Sequence, residues 1–119
     1  GNKNATVNTN QRVLELKKDK ESLIGREIDL VNSVIIPPCY IAKGTKIINS
    51  KVGPHVSIGE NTRVEDAEIS NSIIQNSCTI SKVSFSNSML GSYVRVENRN
   101  TETSIETELN LGDYSEIKL

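Results

Sequence analysis

Large aliphatic residues recur every five or six residues from residue 24 to residue 96. The recurring positions are Ile24, Leu30, Ile35, Ile41, Ile47, Val52, Ile58, Val64, Ile69, Ile74, Ile80, Phe85, Leu90 and Val96, with Phe85 as the one aromatic member. A repeat this short is typical of solenoid proteins, in which each repeat is one structural unit stacked on the next. The sequence therefore predicts an all-β solenoid built from hexapeptide rungs.

Every third recurring position marks one complete coil. In one such series, Ile24, Ile41, Ile58, Ile74 and Leu90 lie 17, 17, 16 and 16 residues apart. Three rungs per coil predict a three-faced prism, in which parallel strands of successive coils lie about 4.8 Å apart. Between residues 24 and 96 the chain has 12 Ile and 8 Val against 2 Leu, a bias that favours strands over helices. We expect about four coils in residues 23–97.

The residue two positions before each recurring position is nearly always small or β-branched. These residues are Ser22, Ile28, Ser33, Cys39, Thr45, Ser50, Val56, Thr62, Ala67, Ser72, Cys78, Val83, Ser88 and Val94. Side chains alternate along a strand, so these positions also point inward, where a narrow prism holds only small groups.

The short, five-residue rungs carry a separate signal at their third position. Five of the six have Asn or Asp there, namely Asn32, Asn49, Asp66, Asn71 and Asn87, while the sixth has Lys82. Asn and Asp tolerate left-handed backbone angles better than other non-glycine residues, so they suit tight corners.

The two ends of the chain depart from the repeat. Residues 4–18 predict a short α-helix with Val7, Leu14 and Leu16 on or beside its apolar side. We expect this helix to pack on the prism flank or on a second copy of the chain, giving a homodimer or homotrimer.

Beyond the repeat, residues 98–108 are mostly polar and predict a loop, and residues 109–119 recover apolar alternation. We expect that last segment to cap the open end of the prism, because an uncovered coil leaves strand edges unpaired. The predicted division is 1–22 for the helix and linker, 23–97 for the solenoid, and 98–119 for the loop and cap.

Composition argues against several partners. Fourteen basic and fifteen acidic residues give a net charge of −1, and no basic stripe indicates nucleic-acid binding. We find neither a signal peptide nor an apolar stretch near the ~20 residues of a membrane span, so we expect a cytoplasmic protein. The two cysteines, Cys39 and Cys78, lie two coils apart, roughly 10 Å by strand spacing, which predicts free buried thiols.

The candidates for chemistry are few. The single histidine, His55, follows Gly53 and Pro54. A histidine can act as a general base near neutral pH, as in many hexapeptide-repeat acyltransferases. A solvent-facing corner residue is the favoured interpretation of His55, because residues 24–96 have no inserted loop for an acyl donor. One histidine excludes a multi-histidine zinc site. The carboxylates cluster near one corner, where a solvated charged edge accounts for them; they are Glu60, Glu65, Asp66 and Glu68.

Four segments together resemble a known family. Residues 47–62 and 69–74 resemble the C-terminal left-handed β-helix of bacterial sugar-1-phosphate nucleotidyltransferases of the glucose-1-phosphate thymidylyltransferase type. Residues 1–14 look like the last helix of their catalytic domain, and residues 111–117 look like their C-terminus.

The resemblance implies a left-handed coil and a chain that lacks the catalytic domain. The parent protein would convert a nucleoside triphosphate and a sugar 1-phosphate into a nucleotide sugar and pyrophosphate. Its aspartates would hold Mg²⁺ in the absent catalytic domain, leaving no cofactor site and no catalytic residue in this chain.

Three functions remain open at this point. The chain is a non-catalytic β-helix domain that serves oligomerisation or regulation, or an acetyl-CoA-dependent acyltransferase with His55 as its base, or a purely structural solenoid.

Overall fold

The three faces of the predicted prism are present as three parallel sheets in the computed structural model, which describes residues 2–17, 24–25, 27–99 and 106–119. The six-stranded face contains β1 (Asp29–Val31), β4 (Lys46–Ile48), β7 (Arg63–Glu65), β10 (Thr79–Ser81), β13 (Arg95–Glu97) and β15 (Glu116–Lys118). The four-stranded face contains β2 (Val34–Ile35), β5 (Lys51–Val52), β8 (Glu68–Ser70) and β11 (Ser84–Ser86). The five-stranded face contains β3 (Cys39–Ile41), β6 (Val56–Ile58), β9 (Ser72–Ile74), β12 (Met89–Leu90) and β14 (Asn110–Leu111).

The register confirms the coil length read from the sequence. Ile58 pairs with Ile41 on one side and with Ile74 on the other, as the 17- and 16-residue spacings require. All three side chains are buried, and Ile58 is fully so. The solenoid has about five turns, one more than expected; its handedness stays a prediction of the resemblance.

The additional turn comes from the end of the chain. β14 pairs with β12, β15 pairs with β13, and Thr107 bridges Phe85. Residues 107–118 therefore cover the preceding coil by continuing its sheets.

Small residues near the corners fill space and also form hydrogen bonds with backbone groups. The hydroxyl of Ser50 donates to the carbonyl of Ile48 and accepts from the amide of Ala67 in the next coil. Ser88 repeats this pattern with the carbonyl of Ser86 and the amide of Leu109. Buried polar groups need such partners, so the preference for Ser and Thr at these positions is a hydrogen-bonding requirement as well as a size limit.

The predicted corners adopt left-handed angles. Asn32, Asn49, Asp66, Asn71 and Asn87 have φ values between 43° and 52°, and Lys82 joins them at 58°. On one corner the side chains also bond along the solenoid axis. Asn32 donates to Asn49 at 2.9 Å, and Asn49 donates to Asp66 at 2.6 Å.

The N-terminal helix, α1, spans Lys3–Lys17 and lies against the five-stranded face, where it contacts β6 and β9. Val7 and Leu14 are buried there, which confirms packing on the prism flank. Leu16 is 71% exposed, so its expected place in the buried stripe is wrong; two positions beyond Leu14, it lies about 200° around the helix from it. The predicted linker at residues 19–22 lies outside the described residues.

Candidate functional site

His55 lies at the corner between the four- and five-stranded faces, beneath α1. Its backbone has φ of 64°, and its amide donates to the carbonyl of Pro38 in the preceding coil at 2.8 Å. Its Nε2 atom is 2.7 Å from Oε1 of Glu15 on α1, and only 17% of the side chain is exposed. The expected solvent-facing corner residue is therefore largely covered by the helix.

This contact limits the chemistry of the imidazole. A carboxylate accepts hydrogen bonds, so Nε2 donates to Glu15 in this arrangement and offers no lone pair to a substrate. A general base must reach the proton that it removes, which leaves Nδ1 or a displaced helix for that role. The acyltransferase hypothesis gains no support from this geometry, and the role of His55 stays a prediction.

The rest of α1 is attached to the prism by polar contacts. Ser57 on β6 donates to Oδ1 of Asn10 at 2.6 Å. At the other end of the helix, Lys3 donates to the carbonyl of Asn87 at 2.6 Å and lies 3.5 Å from Glu108. A hydrogen bond from Asn87, followed by the charge of Lys3, holds the pKa of Glu108 below its usual value. Together these contacts define one orientation for the helix along the solenoid.

The predicted carboxylate cluster divides between two corners. Glu65, Asp66 and Glu68 flank the turn from β7 to β8, whereas Glu60 lies at the turn from β6 to β7. Glu65 pairs with Arg63 at 3.3 Å, and Asp66 accepts a bond from Asn49. These contacts and the exposure of the corner fit the interpretation as a solvated edge.

Two shallow grooves on the four-stranded face were not anticipated from the sequence. One, of about 280 Å³, is lined by residues that include Lys51, Glu68 and Glu106. The other, of about 310 Å³, shares Lys51 and Glu68 and adds Asp66. The one sequence feature that could have indicated these grooves is the 17-residue spacing of Lys51 and Glu68, which makes them direct neighbours in adjacent strands. Lys51 is the single cation among the lining residues, so neither groove resembles a strong anion site.

The described ranges contain no candidate metal site. Among residues 2–17, 24–25, 27–99 and 106–119, no group of three or more His, Cys, Asp or Glu side chains could hold a metal ion. These residues therefore do not fit the Mg²⁺ that the resemblance assigns to the parent protein. Within the same ranges, no helix is long and apolar enough to cross a membrane.

Cys39 and Cys78 are free and buried, as the sequence predicts. Burial raises the pKa of both thiols, against a smaller opposing effect of backbone hydrogen bonds. Both cysteines belong to the packed interior, and the thiol of Cys78 donates to the carbonyl of Gly91 at 3.0 Å.

Both thiols should therefore resist modification in the folded protein. Because the reactive species is the thiolate, we expect Ellman's reagent to react at least about tenfold more slowly with the native chain than in denaturant. A Lys51→Cys variant, exposed on the four-stranded face, should react rapidly and serves as the control. Fast native reaction of Cys39 or Cys78 would contradict their placement in the core.

No family model matches the chain. A glucose-1-phosphate thymidylyltransferase from Streptomyces griseus is 32% identical over 133 aligned positions, which cover 100% of this chain and 37% of that protein. A second protein of that name, from Streptomyces antibioticus, is 29% identical over 82% of this chain and 27% of its own length.

A probable mannose-1-phosphate guanyltransferase from Schizosaccharomyces pombe is 47% identical over 57 residues, or 46% of this chain and 13% of that protein. The chain thus spans less than two fifths of the length of each of these three relatives. Homologues named glucose-1-phosphate thymidylyltransferase cover this chain, and its parallel β-solenoid is consistent with a C-terminal β-helix domain.

Proposed function

We propose that this chain forms the non-catalytic β-helix part of a sugar-1-phosphate nucleotidyltransferase and serves its self-association. The observation that carries the proposal is the similarity to a thymidylyltransferase over the whole chain, combined with a solenoid fold. The parent reaction would join a nucleoside triphosphate and a sugar 1-phosphate, release pyrophosphate and yield a nucleotide sugar. A preceding catalytic part would hold Mg²⁺, and the reaction would take place in the cytoplasm.

The packing of the prism supports a structural role for this part. Its interior is filled by stacked aliphatic side chains, many of them without any exposed surface. What the solenoid offers to other molecules is therefore its outer faces, its ends and α1. Flat, repetitive surfaces of this kind are suited to assembly, and closed symmetric homo-oligomers are the commonest outcome.

The isolated 119-residue chain should not catalyse nucleotidyl transfer. With thymidine triphosphate, glucose 1-phosphate and Mg²⁺, we expect pyrophosphate release no faster than without protein. Addition of acetyl-CoA and candidate acceptors should likewise give no acetyl transfer. Pyrophosphate release would overturn the non-catalytic role, and acetyl transfer that is lost in His55→Ala would favour the acyltransferase hypothesis instead.

Self-association is measured separately. Sedimentation equilibrium of the chain at tens of micromolar should give the mass of a dimer or a trimer. A monomer at all concentrations in this range would contradict self-association as the function of this part.

A further inference from the structure

The six-stranded face contains more strands than either other face among the described residues, and α1 lies on a different face. Two columns of side chains point outward from it, one on each side of the inward-pointing row. The first column is Asp29, Lys46, Arg63, Thr79, Arg95 and Glu116. The second column is Val31, Ile48, Glu65, Ser81, Glu97 and Lys118. The parallel register aligns each column along the solenoid axis.

On three strands the two columns carry opposite charges at the same level. On β7, Arg63 lies 3.3 Å from Glu65, and on β15, Lys118 lies 3.8 Å from Glu116. On β13, Arg95 and Glu97 are both exposed and occupy the corresponding positions. Between β7 and β13, β10 presents the small uncharged pair Thr79 and Ser81.

Two copies can place this face against itself with two-fold symmetry in two ways. When the two-fold axis is parallel to the solenoid axis, each strand meets the same strand of the second copy running in the opposite direction. The first column then faces the second column. Arg95 meets Glu97 of the second copy, Arg63 meets Glu65, and Glu116 meets Lys118, each twice by symmetry. Thr79 meets Ser81, which lets the centre of the face approach closely.

The other two-fold axis, parallel to the strands, reverses the order of coils. It places β1 against β15 and β4 against β13 of the second copy. Asp29 then meets Glu116, and Lys46 meets Arg95, so like charges face each other. Opposed like charges cost free energy, whereas complementary charges fix the orientation of an interface. The charge pattern therefore favours the axis parallel to the solenoid.

We propose that the six-stranded face is a self-association surface on which two copies pair about a two-fold axis parallel to the solenoid axis. This inference rests on the proposed role in self-association and assigns it a surface and a symmetry. Near β1, Ile48 adds an apolar contribution, since the methylene groups of Lys46 from the second copy can cover it.

The size of the face sets the strength of the dimer. Six strands spaced about 4.8 Å apart make it only about 29 Å long. An interface this small lies at the low end of the range for specific complexes, so we expect a dissociation constant in the micromolar range. Because the contacts are charged and near solvent, added salt should weaken the dimer.

A charge-swap experiment on β13 tests the proposal by sedimentation equilibrium. In Arg95→Glu, residue 95 repels Glu97 of the second copy, and in Glu97→Arg, residue 97 repels Arg95. We expect each variant alone to dimerise about tenfold more weakly than the parent chain. Mixed together, the two variants bear complementary charges and should form a heterodimer. Repulsion within one chain cannot produce that recovery, because each chain keeps its own like-charged pair.

Lys51→Glu, an exposed charge reversal on the four-stranded face, is the matched control and should leave the dimer unchanged. A parent chain that stays monomeric would overturn the proposed function and this inference together. A parent chain that associates, with variants that associate equally well, would overturn the inference alone and place assembly on another surface. Tighter association of Arg95→Glu would indicate the two-fold axis parallel to the strands, since residue 95 would then face Lys46 of the second copy. That result would also overturn the inference.

Discussion

Replacement of Ile58 by alanine should lower the free energy of unfolding by about 2–5 kcal/mol, the usual cost of truncating a fully buried isoleucine. Ile58 has no exposed surface and stacks between Ile41 and Ile74. The regular coils above and below restrict collapse around the missing atoms, so part of the cost comes from the cavity. Denaturant unfolding followed by circular dichroism, at a concentration below that of self-association, measures the change.

Ile24 provides a control of the same residue type in the same column. It pairs with Ile41 from the open end of the prism and is 40% exposed. Ile24→Ala removes less buried surface and leaves no closed cavity, so it should cost about 1 kcal/mol. A cost for Ile58→Ala no larger than that for Ile24→Ala would contradict the stacked core.

The repeat was sufficient to predict the faces and the register because one spacing rule constrains every coil. Once Ile41 and Ile58 occupy the same position in successive coils, backbone pairing fixes the residues between them. The confirmed pairing of Leu30 with Ile47 and of Val52 with Ile69 follows from the same rule. An error at any one position would have broken the agreement along the whole column.

The last coil could not be predicted in the same way. Leu111 pairs with Leu90 at a spacing of 21 residues instead of 16. The last coil therefore contains extra residues, and the periodicity of the earlier coils does not predict them. Thr107 takes the place next to Phe85, where the repeat leads one to expect a large apolar residue. The apolar alternation of residues 109–119 indicated a covering segment, but the alternation alone could not show that the segment continues the sheets.

One row of corners was also missed, because four of its six residues lack the usual signal. Glu27, Ser77, Tyr93 and Tyr114 have positive φ, although none of them is Asn, Asp or Gly. Backbone bonds between coils hold these corners, such as Tyr93 to the carbonyl of Asn76 at 2.9 Å. The rings of Tyr93 and Tyr114 stack with their centroids 5.1 Å apart, which adds a contact that local sequence cannot encode.

The contact that covers His55 is likewise invisible in the sequence. Glu15 and His55 are 40 residues apart and belong to different elements, a helix and a corner of the solenoid. Their approach depends on where α1 lies along the prism. That position is set jointly by burial of Val7 and Leu14 and by the bonds to Asn87 and Ser57. A spacing argument predicts that the helix has an apolar side but does not predict which face receives it.

Gly53→Ala should be the second strongly destabilising change, with a cost of about 2–4 kcal/mol from backbone strain and steric overlap. Gly53 has φ of 114°, a conformation that side chains with a β-carbon rarely adopt. An added β-carbon would also overlap the carbonyl oxygen of Ile36 in the preceding coil and lie 2.9 Å from Sγ of Cys39. Both obstacles belong to the packed corner next to His55, so relief would require the two coils to move apart.

Gly112→Ala is the matched control for this substitution. A β-carbon added at Gly112 would meet no atom within 4 Å, and the residue is exposed near the end of the chain. The change should therefore alter stability by less than about 0.5 kcal/mol. Thermal and denaturant unfolding of the two variants, measured side by side, separate the general effect of Gly→Ala from the effect of this corner. If Gly53→Ala were as well tolerated as Gly112→Ala, the close approach of Ile36 to the corner would be wrong, and the placement of His55 next to it would need revision as well.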